Sequence, residues 1–311
     1  MKISVVIPVY NGAETITEVV NSVVNEFIHT DYEIILVNDG SKDQSEKVCE
    51  QISLANPNIK FISLRKNFGE HNAVICGLNY TSGDYSAIID DDFQNPPSEI
   101  KKLLQAATEG DFDVVFSKYN DKKHHFFRNI GSKINDKIAN VLLQKPKKLY
   151  LSSFKLINKA VVDEIVKYKG PFPYIDGLIL RVTNNITSVE VKHHKRAVGK
   201  SNYTLKKLIS LYFNMFFNFS VKPLRMFTIA GFIIFLVGVG FSIAFLIDKL
   251  LDPSTPAGWT SIIIAIITLS GFQIIFLGLI GEYLGKQYLD QNATPQWVVK
   301  KELLHSQEED K

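Results

Sequence analysis

The chain has 311 residues, of which 22% are charged, and its formal net charge is +3. This length provides for one sizeable domain and a smaller additional part, and the two cysteines, Cys49 and Cys76, argue against a disulfide framework or a zinc site. The charge is uneven, because residues 1–117 contain 8 Lys and Arg against 18 Asp and Glu, whereas residues 118–207 contain 20 against 6. An acidic section suits metal binding, and a basic one suits an anionic lipid, a phosphate group or nucleic acid.

The first 117 residues alternate between apolar runs of strand length and segments with helical periodicity. The predicted strands are Ile3–Val9, Glu33–Val37, Ile59–Leu64, Tyr85–Ile89 and Val114–Ser117, and the predicted helices are Thr15–Phe27, Asp43–Leu54, Glu70–Tyr80 and Pro97–Ala107. The connections between them are short. This alternation predicts an α/β fold in which helices cover both faces of a mostly parallel sheet.

Polar residues follow each of the first four predicted strands, namely Tyr10-Asn11, Asn38-Asp39, Lys66-Asn67 and Asp90–Asp92. Each alone is an ordinary turn sequence, and an isolated acidic triplet predicts a solvated turn. In parallel α/β sheets, however, ligands bind outside the carboxyl ends of the strands. Adjacent carboxylates repel one another unless they are solvated or hold a cation. Four polar ends on one edge therefore favour a divalent metal site that carries a phosphorylated substrate.

Residues 118–207 are less periodic. A helix is predicted at Phe126–Leu143 and a strand at Ile186–Val191. Two histidine pairs, His124-His125 and His193-His194, lie in basic stretches. Such pairs are mostly plain surface residues, so we predict no metal ligation by them.

Apolar segments follow the basic section. Leu205–Val221 is amphipathic, which predicts a helix in a membrane interface or, alternatively, a buried helix of the core. Residues 226–247 and 259–281 are each long and apolar enough to predict a bilayer span, and the short loop between them predicts a transmembrane hairpin. Basic residues flank the hairpin, so both chain ends are predicted in the cytoplasm. Glycines in the spans predict close helix packing within the hairpin and in a homo-oligomer such as a tetramer.

These features divide the chain into four predicted parts. Residues 1–203 form the α/β domain, residues 204–225 the amphipathic juxtamembrane helices, residues 226–285 the hairpin and residues 286–311 a cytoplasmic tail. Because Met1-Lys2 runs straight into the first strand, we predict that no signal peptide precedes it. The tail after Pro295 is charged, so we expect it to fray.

An ordered set of short motifs runs through nearly the whole chain. It comprises Pro8-Val9-Tyr10-Asn11, Asn38-Asp39-Gly40-Ser41, Asn67-Phe68-Gly69, Asp90–Gln94 with Asn95-Pro96-Pro97, Ser153–Leu156, Arg196–Tyr203, Lys222–Arg225 and Gly281–Gly285. In this set the chain resembles the polyprenyl-phosphate glycosyltransferases, a dolichol-phosphate mannosyltransferase-like branch of the inverting family 2 glycosyltransferases with a Rossmann-like GT-A domain. His71–Val74 and Gln94–Pro97 are most similar to bacterial enzymes that transfer 4-deoxy-4-formamido-arabinose for lipid A modification.

The resemblance implies a role for each matching residue. Nucleotide-sugar binding is implied for Pro8, Tyr10, Asn11, Asp39, Asn67, Asp90 and Asp91. Asp90 and Asp92 correspond to the D-x-D pair that holds Mg²⁺ or Mn²⁺ against the donor diphosphate, assisted by Gln94. Binding of the acceptor lipid phosphate is implied for Arg128, Arg196, Lys200 and Ser201. Two positions depart from the family pattern, because Asp91 stands where a small or apolar residue is usual and Asn202 where Lys is frequent.

The implied activity is inverting transfer of a sugar from a nucleotide-sugar, with UDP favoured, to undecaprenyl phosphate at the inner membrane, for cell-envelope glycan or lipopolysaccharide synthesis. The residue types agree with it, because a diphosphate leaving group needs a cation and an ionised lipid phosphate needs no strong general base. One alternative is a processive polysaccharide synthase, whose Gln-x-x-Arg-Trp signature the sequence lacks. The others are a non-catalytic nucleotide-sugar-binding membrane scaffold and a nucleic-acid binder, which would leave the apolar hairpin unexplained.

Overall fold

The computed structural model describes residues 1–119, 149–194 and 258–305, together with residues 229, 231–233, 236–238, 240, 243–244, 247 and 251. The chain divides into two compact units. The first comprises Met1–Thr204 and Ala293–Lys311, and the second comprises Leu205–Asn292.

Strands and helices alternate in the first unit. Its strands are β1 (Lys2–Val9), β2 (Asp31–Asn38), β3 (Ile59–Leu64), β4 (Tyr85–Ile88), β5 (Val114–Tyr119), β6 (Lys155–Asn158), β7 (Ile186–Val191) and β8 (Val299–Leu303). Its helices are α1 (Ile16–Phe27), α2 (Ser45–Ala55), α3 (Glu70–Leu78), α4 (Glu99–Gly110), α5 (Lys159–Ile165) and α6 (Ile175–Val182). The second unit contains α7 (Trp259–Gln291), and its described residues between 229 and 251 are helical.

The strands of the described part form one sheet in the order β7-β5-β6-β4-β1-β2-β3-β8. β1 pairs in parallel with β2 and β4, β2 with β3, and β5 with β7. β6 runs antiparallel between β4 and β5, and β8 runs antiparallel to β3. Because the two reversals at β6 cancel, all strands except β6 and β8 point the same way. The prediction of a mostly parallel α/β sheet is confirmed.

The core lies on both faces of the sheet, because successive residues of a strand point to opposite sides. Val5 and Ile7 of β1 belong to the buried cluster that also contains the apolar stripe of α1. The opposite face meets α3, where a Cβ on Gly77 would come 2.5 Å from Val6 Cγ1. A glycine is therefore needed for α3 to pack this closely against β1.

Most of these elements follow the sequence prediction. The five strands and four helices predicted up to residue 117 are present, with ends that differ by no more than three residues, and β7 has the predicted bounds. Sequence patterns missed β6, α5, α6 and β8. The helix predicted at Phe126–Leu143 lies outside the described residues.

The tail does not fray throughout, because Val299–Leu303 forms the edge strand β8. Lys300 lies 2.8 Å from Glu46 of α2, and Lys301 forms an ion pair with Glu50 of the same helix. Charged side chains are common on edge strands, where they oppose the addition of another strand. Val299–Leu303, within the predicted tail 286–311, thus belongs to the sheet of the first unit.

The prediction of two membrane spans is also wrong. In the part of the chain that the structure describes, no helix combines the length and apolar composition that a bilayer crossing requires. This finding overturns the predicted localisation, a two-span protein of the inner membrane with a cytoplasmic catalytic domain and cytoplasmic termini. Half of the residues in the predicted span 226–247 and all of Leu205–Val221 lie outside the described residues.

Glu33 on β2 anchors a buried polar cluster near the amino ends of the parallel strands. Its carboxylate accepts hydrogen bonds from Ser4 Oγ and from Ser82 N, both at 2.6 Å, and lies 2.8 Å from Lys60 Nζ. Burial alone would raise the pKa of Glu33, but the hydrogen bonds from Lys60, Ser4 and Ser82 together lower it to about 2. The folded protein therefore favours the charged carboxylate.

We expect Glu33→Gln to reduce the free energy of unfolding by roughly 2 to 3 kcal/mol at neutral pH. The folded pKa lies below the ordinary value of 4.5, so the stabilisation is complete above that pH and is lost as the pH falls toward 2. Urea unfolding of both proteins across this range measures the difference, which must shrink with falling pH. A difference that stays constant with pH would contradict the role assigned to the charge.

Candidate active site

One edge of the sheet collects the carboxyl ends of the parallel strands. β1 and β2 end side by side, with Val9 opposite Asn38 in the register, and β4 ends just before Asp90. β6 begins at this same edge, because Ile88 pairs with Lys155. The polar turns predicted from the sequence are therefore brought together, and β6 adds residues that the prediction did not place there.

The loops after β1 and β2 are joined by hydrogen bonds. Asn11 N donates to Ser41 Oγ at 3.0 Å, and Lys42 N donates to Asn11 Oδ1 at 2.9 Å. Gly12 N donates to Ser45 Oγ at 2.9 Å, at the start of α2. Asn11 has a φ of 56°, in the left-handed region that Asn adopts more readily than most residues. The two loops thus form one hydrogen-bonded surface at the edge of the sheet.

Asp39, directly after β2, holds the loop that follows β3. It is 3% exposed, and its two carboxylate oxygens accept hydrogen bonds from Phe68 N at 2.7 Å and Gly69 N at 2.9 Å. Burial raises the pKa of Asp39 above its ordinary value, and the two hydrogen bonds oppose this change. The structure therefore gives Asp39 a part in shaping the edge, and its contact with a nucleotide stays a prediction.

Gly40 lets the loops after β2 and β3 pack main chain against main chain. Its φ is +61°, and a Cβ there would lie 2.3 Å from Lys66 C and 2.5 Å from Asn67 N. A side chain would be strained by the backbone angle and would also clash. Asn67 is exposed at this junction, beside the surface formed by the first two loops.

The acidic turn Asp90–Asp92 is tied to β6. Asp90 Oδ2 accepts a hydrogen bond from Ser153 Oγ at 2.8 Å and a longer one from Asn95 Nδ2 at 3.4 Å. Asp92 is buried, and its Oδ1 accepts a hydrogen bond from Gln94 N at 3.1 Å. Ser153 and Asn95 thereby orient Asp90, and the main chain just after the turn orients Asp92.

Asp91 faces the loop after β1. Its Oδ2 accepts a hydrogen bond from Tyr10 N at 3.1 Å, and a Cβ on Gly12 would lie 2.3 Å from the same oxygen. Phe93, at the end of the turn, has a φ of 59°. A bulky residue in this region costs about 1–3 kcal/mol, and such strain concentrates at functional sites. The surrounding hydrogen bonds therefore maintain a turn that the local sequence disfavours.

A buried ion pair lies at the start of β6. Lys155 is 3% exposed and Asp176, in the first turn of α6, is 7% exposed. Lys155 Nζ donates a hydrogen bond to Asp176 Oδ1 and lies 5.1 Å from the centre of the Phe116 ring. Charges buried this deeply are tolerated only in pairs, so each of these residues requires the other.

Glu70 and His71 begin α3 beside these charges. Glu70 is exposed by surface area, yet the protein atoms around its carboxyl desolvate it and, with repulsion from Asp90, raise its pKa to about 7. Burial lowers the pKa of His71 to about 4, so its ring is neutral at pH 7 and packs edge-on against Tyr174 at 5.3 Å. Excess negative charge therefore gathers between α3 and the acidic turn, where a cation would be stabilised.

The described part of the predicted site is gathered at this edge. It comprises Pro8, Tyr10, Asn11, Asp39, Asn67, Asp90, Asp91, Asp92 and Gln94. The predicted acceptor residues Arg128, Arg196, Lys200 and Ser201 lie outside the described residues. Within the described ranges, no three His, Cys, Asp or Glu side chains form a group that could hold a metal ion.

Sequence reasoning missed Glu70 and the ion pair of Lys155 and Asp176. Lys155 belongs to the motif Ser153–Leu156 and Asp176 follows a proline-rich stretch, and these were the available sequence signals.

Comparison with protein-family models gives a match to the family described as Glycosyl transferase family 2, over residues 4–166. That range covers more than half of the chain and contains most of β1, all of β2 to β6 and the acidic turn. The chain belongs to glycosyl transferase family 2. A relative from Bacillus subtilis (strain 168), the uncharacterized glycosyltransferase YkcC, is 32% identical over 303 residues, which cover 96% of this chain and 93% of that protein.

Solved structures are similar to this chain at lower identity. Glucosyl-3-phosphoglycerate synthase from Mycobacterium tuberculosis, solved with Mn²⁺, UDP and phosphoglyceric acid, is 20% identical at a TM-score of 0.51, covering 68% of this chain and 74% of its own. The S. aureus protein TarS, residues 1–349, is 22% identical at a TM-score of 0.46, and the match covers 62% of this chain and 59% of that one.

Membership of family 2 makes this protein a glycosyltransferase, and its α/β fold is GT-A-like, as predicted. The carboxyl edge of the sheet is the place where α/β folds bind ligands. The non-catalytic scaffold and the nucleic-acid binder, left open by the sequence, gain no support from the family match or from the relatives.

Proposed function

We propose that this glycosyltransferase transfers a sugar from a UDP-sugar to a polyprenyl phosphate such as undecaprenyl phosphate, with inversion at the anomeric carbon and with Mg²⁺ or Mn²⁺ held by Asp90 and Asp92. The observation that supports this most is the acidic turn at the carboxyl edge, which is hydrogen-bonded to the loop after β1 and to Ser153 before β6. Supply of lipid-linked sugar for the cell envelope, and a homo-oligomeric state, stay predictions.

On the donor side, the nucleotide is proposed to lie against the joined loops, in contact with Pro8, Tyr10, Asn11, Asp39 and Asn67. These loops present main-chain groups and small polar side chains held by mutual hydrogen bonds. Asp39 can bind both the protein and a nucleotide, because each carboxylate oxygen has two lone pairs and only one hydrogen bond to each is made by the main chain.

The residues of the turn fit a hard divalent cation. Asp90 and Asp92 supply carboxylate oxygens, which Mg²⁺ and Mn²⁺ prefer, and one or two protein carboxylates suffice where substrate phosphates complete the coordination. When bound, such an ion would neutralise the charge that develops on the diphosphate leaving group. Gln94 assists through its main-chain N–H, which orients Asp92, whereas Asp91 is directed toward Tyr10 N.

On the acceptor side, the nucleophile is a phosphate oxygen that is ionised at neutral pH. No side chain has to remove a proton from it, so the protein chiefly aligns two anionic substrates. We propose that Arg128, Arg196, Lys200 and Ser201 hold this phosphate, since Arg and Lys make charge-assisted hydrogen bonds to phosphate oxygens. The basic composition of residues 118–207 supports the assignment.

The direct test uses the purified full-length chain with Mn²⁺ or Mg²⁺, a panel of UDP- and GDP-sugars, and undecaprenyl phosphate in detergent. We expect release of UDP that depends on the lipid phosphate, and a lipid product heavier by one sugar in mass spectrometry. Undecaprenol, which has the same chain without the phosphate, is the matched control and must not support release. Equal release of UDP with undecaprenol would contradict the proposed acceptor. Transfer from GDP-sugars alone would contradict the proposed donor.

A further inference from the structure

A chain of hydrogen bonds connects Asp90 with the ends of β5 and β7. Asn95 is 4% exposed, and its Nδ2 lies 3.4 Å from Asp90 Oδ2. Tyr119, the last residue of β5, donates its hydroxyl hydrogen to Asn95 Oδ1 at 2.9 Å. His193, two residues after β7, places Nδ1 3.3 Å from the same oxygen. We name Asn95, Tyr119 and His193 the relay.

The chemistry of the groups determines the direction of every hydrogen bond in the relay. A carboxylate can only accept, so the NH₂ group of Asn95 must face Asp90. The carbonyl oxygen of Asn95 therefore faces the other way, where it can only accept from Tyr119 and His193. Burial raises the pKa of Tyr119 to about 12, so its hydroxyl keeps the proton that it donates. The Nδ1 atom of His193 must likewise carry its hydrogen.

Ring contacts hold the relay in place. The His193 ring lies 4.2 Å from the Tyr119 ring, tilted by 36°, and Tyr150 packs edge-on against Tyr119 at 6.0 Å. The main chain is also joined here, because His194 N donates to the carbonyl oxygen of Gln94 at 2.8 Å. Both histidines are exposed, as their basic sequence context predicts, but the ring of His193 also contacts Tyr119 and Asn95.

We infer that Tyr119 and His193 are positioning residues for the reaction, which act through Asn95 to hold Asp90 in the orientation that binds the divalent cation. This inference rests on the proposed function, in which Asp90 is a ligand of that cation. Asn95 hydrogen-bonds to Asp90 directly, and removal of such a group commonly changes metal affinity or activity by 10- to 100-fold. Tyr119 and His193 act one hydrogen bond further away, so we expect effects at the low end of this range. The relay also joins Asp90 to the ends of two strands that sequence reasoning did not connect with the acidic turn.

The test measures cation affinity apart from turnover, by electron paramagnetic resonance titration of the full-length protein with Mn²⁺ in the presence of UDP. We expect Tyr119→Phe and His193→Ala each to weaken Mn²⁺ binding by about 10-fold. Tyr119→Phe keeps the ring and removes only the hydroxyl. His193→Asn retains an N–H donor near the position of Nδ1 and should restore most of the affinity lost in His193→Ala. His194→Ala, at the next residue, should match the wild type, because only the main chain of His194 joins this region.

Thermal unfolding of each variant, without cation, separates positioning from folding. The inference requires melting temperatures close to that of the wild type together with weaker Mn²⁺ binding. If Asp90→Asn weakens binding while Tyr119→Phe and His193→Ala bind Mn²⁺ as the wild type does, the relay is overturned and the metal assignment stands. If Asp90→Asn itself leaves Mn²⁺ binding unchanged, the metal assignment in the proposed function fails and the relay fails with it.

Discussion

Asp90→Asn is expected to lower kcat by about 1000-fold, because it removes a ligand charge from the proposed cation site while keeping the shape of the side chain. Stabilisation of the leaving diphosphate by a metal ion is worth several kcal/mol, and each 1.4 kcal/mol changes the rate about tenfold. The amide oxygen of Asn can still accept the hydrogen bond from Ser153, so the fold should be unaffected. Steady-state turnover at saturating UDP-sugar measures the effect.

The matched control is Asp163→Asn, the same chemical change on the exposed helix α5. Asp163 lies 3.0 Å from Lys159 in an exposed pair, and such pairs contribute little. Its turnover and melting temperature should equal those of the wild type. UDP binding in the presence of EDTA should be alike in all three proteins, because no cation takes part. Wild-type turnover in Asp90→Asn would show that Asp90 holds no essential cation.

Lys155→Met is expected to reduce the free energy of unfolding by about 3–5 kcal/mol, since it leaves the charge of Asp176 buried without its partner. For a unit of this size the melting temperature should fall on the order of 10 °C. Denaturant unfolding and calorimetry measure the loss of stability.

The double variant Lys155→Met/Asp176→Leu distinguishes a broken charge pair from a packing defect. Replacing both members of a buried ion pair by apolar residues is often neutral or stabilising, so most of the lost stability should return. Lys159→Met, at the exposed pair on α5, is the control and should change stability by less than about 1 kcal/mol. A double variant as unstable as Lys155→Met would mean that packing around the methylene chain, rather than the charge, is what matters.

Several elements could be predicted from local sequence alone. β1 to β4 are buried in the middle of a parallel sheet, and such strands require continuous apolar runs that end in turn residues. The same requirement places polar residues at their carboxyl ends, so the order of strands and turns along the chain is enough to assign the acidic turn and the loops with Asn11, Asp39 and Asn67 to one edge. Family 2 membership agrees with these motifs.

Other assignments depend on residues distant in sequence, and here local pattern gave the wrong answer. Val299–Leu303 has the charged composition of a loose tail, yet it completes the hydrogen bonds of β3, and its lysines meet Glu46 and Glu50. An exposed edge strand buries little side-chain surface, so its sequence does not need an apolar pattern. The apolar residues after 225 predicted two membrane spans, whereas the described residues contain no helix fit to cross a bilayer.

The sequence by itself determined the parallel α/β sheet and the position of the acidic turn, because both follow from short-range patterns of apolar and polar residues, and its ordered motifs carried the resemblance to the family. Only the tertiary structure decided which side chains share the site. Lys155 and Asp176 are far apart along the chain and would each be assigned to the surface, yet burial makes each depend on the other. Asn95, Tyr119 and His193 come from three separate segments, and the direction of their hydrogen bonds follows from the one carboxylate that they meet.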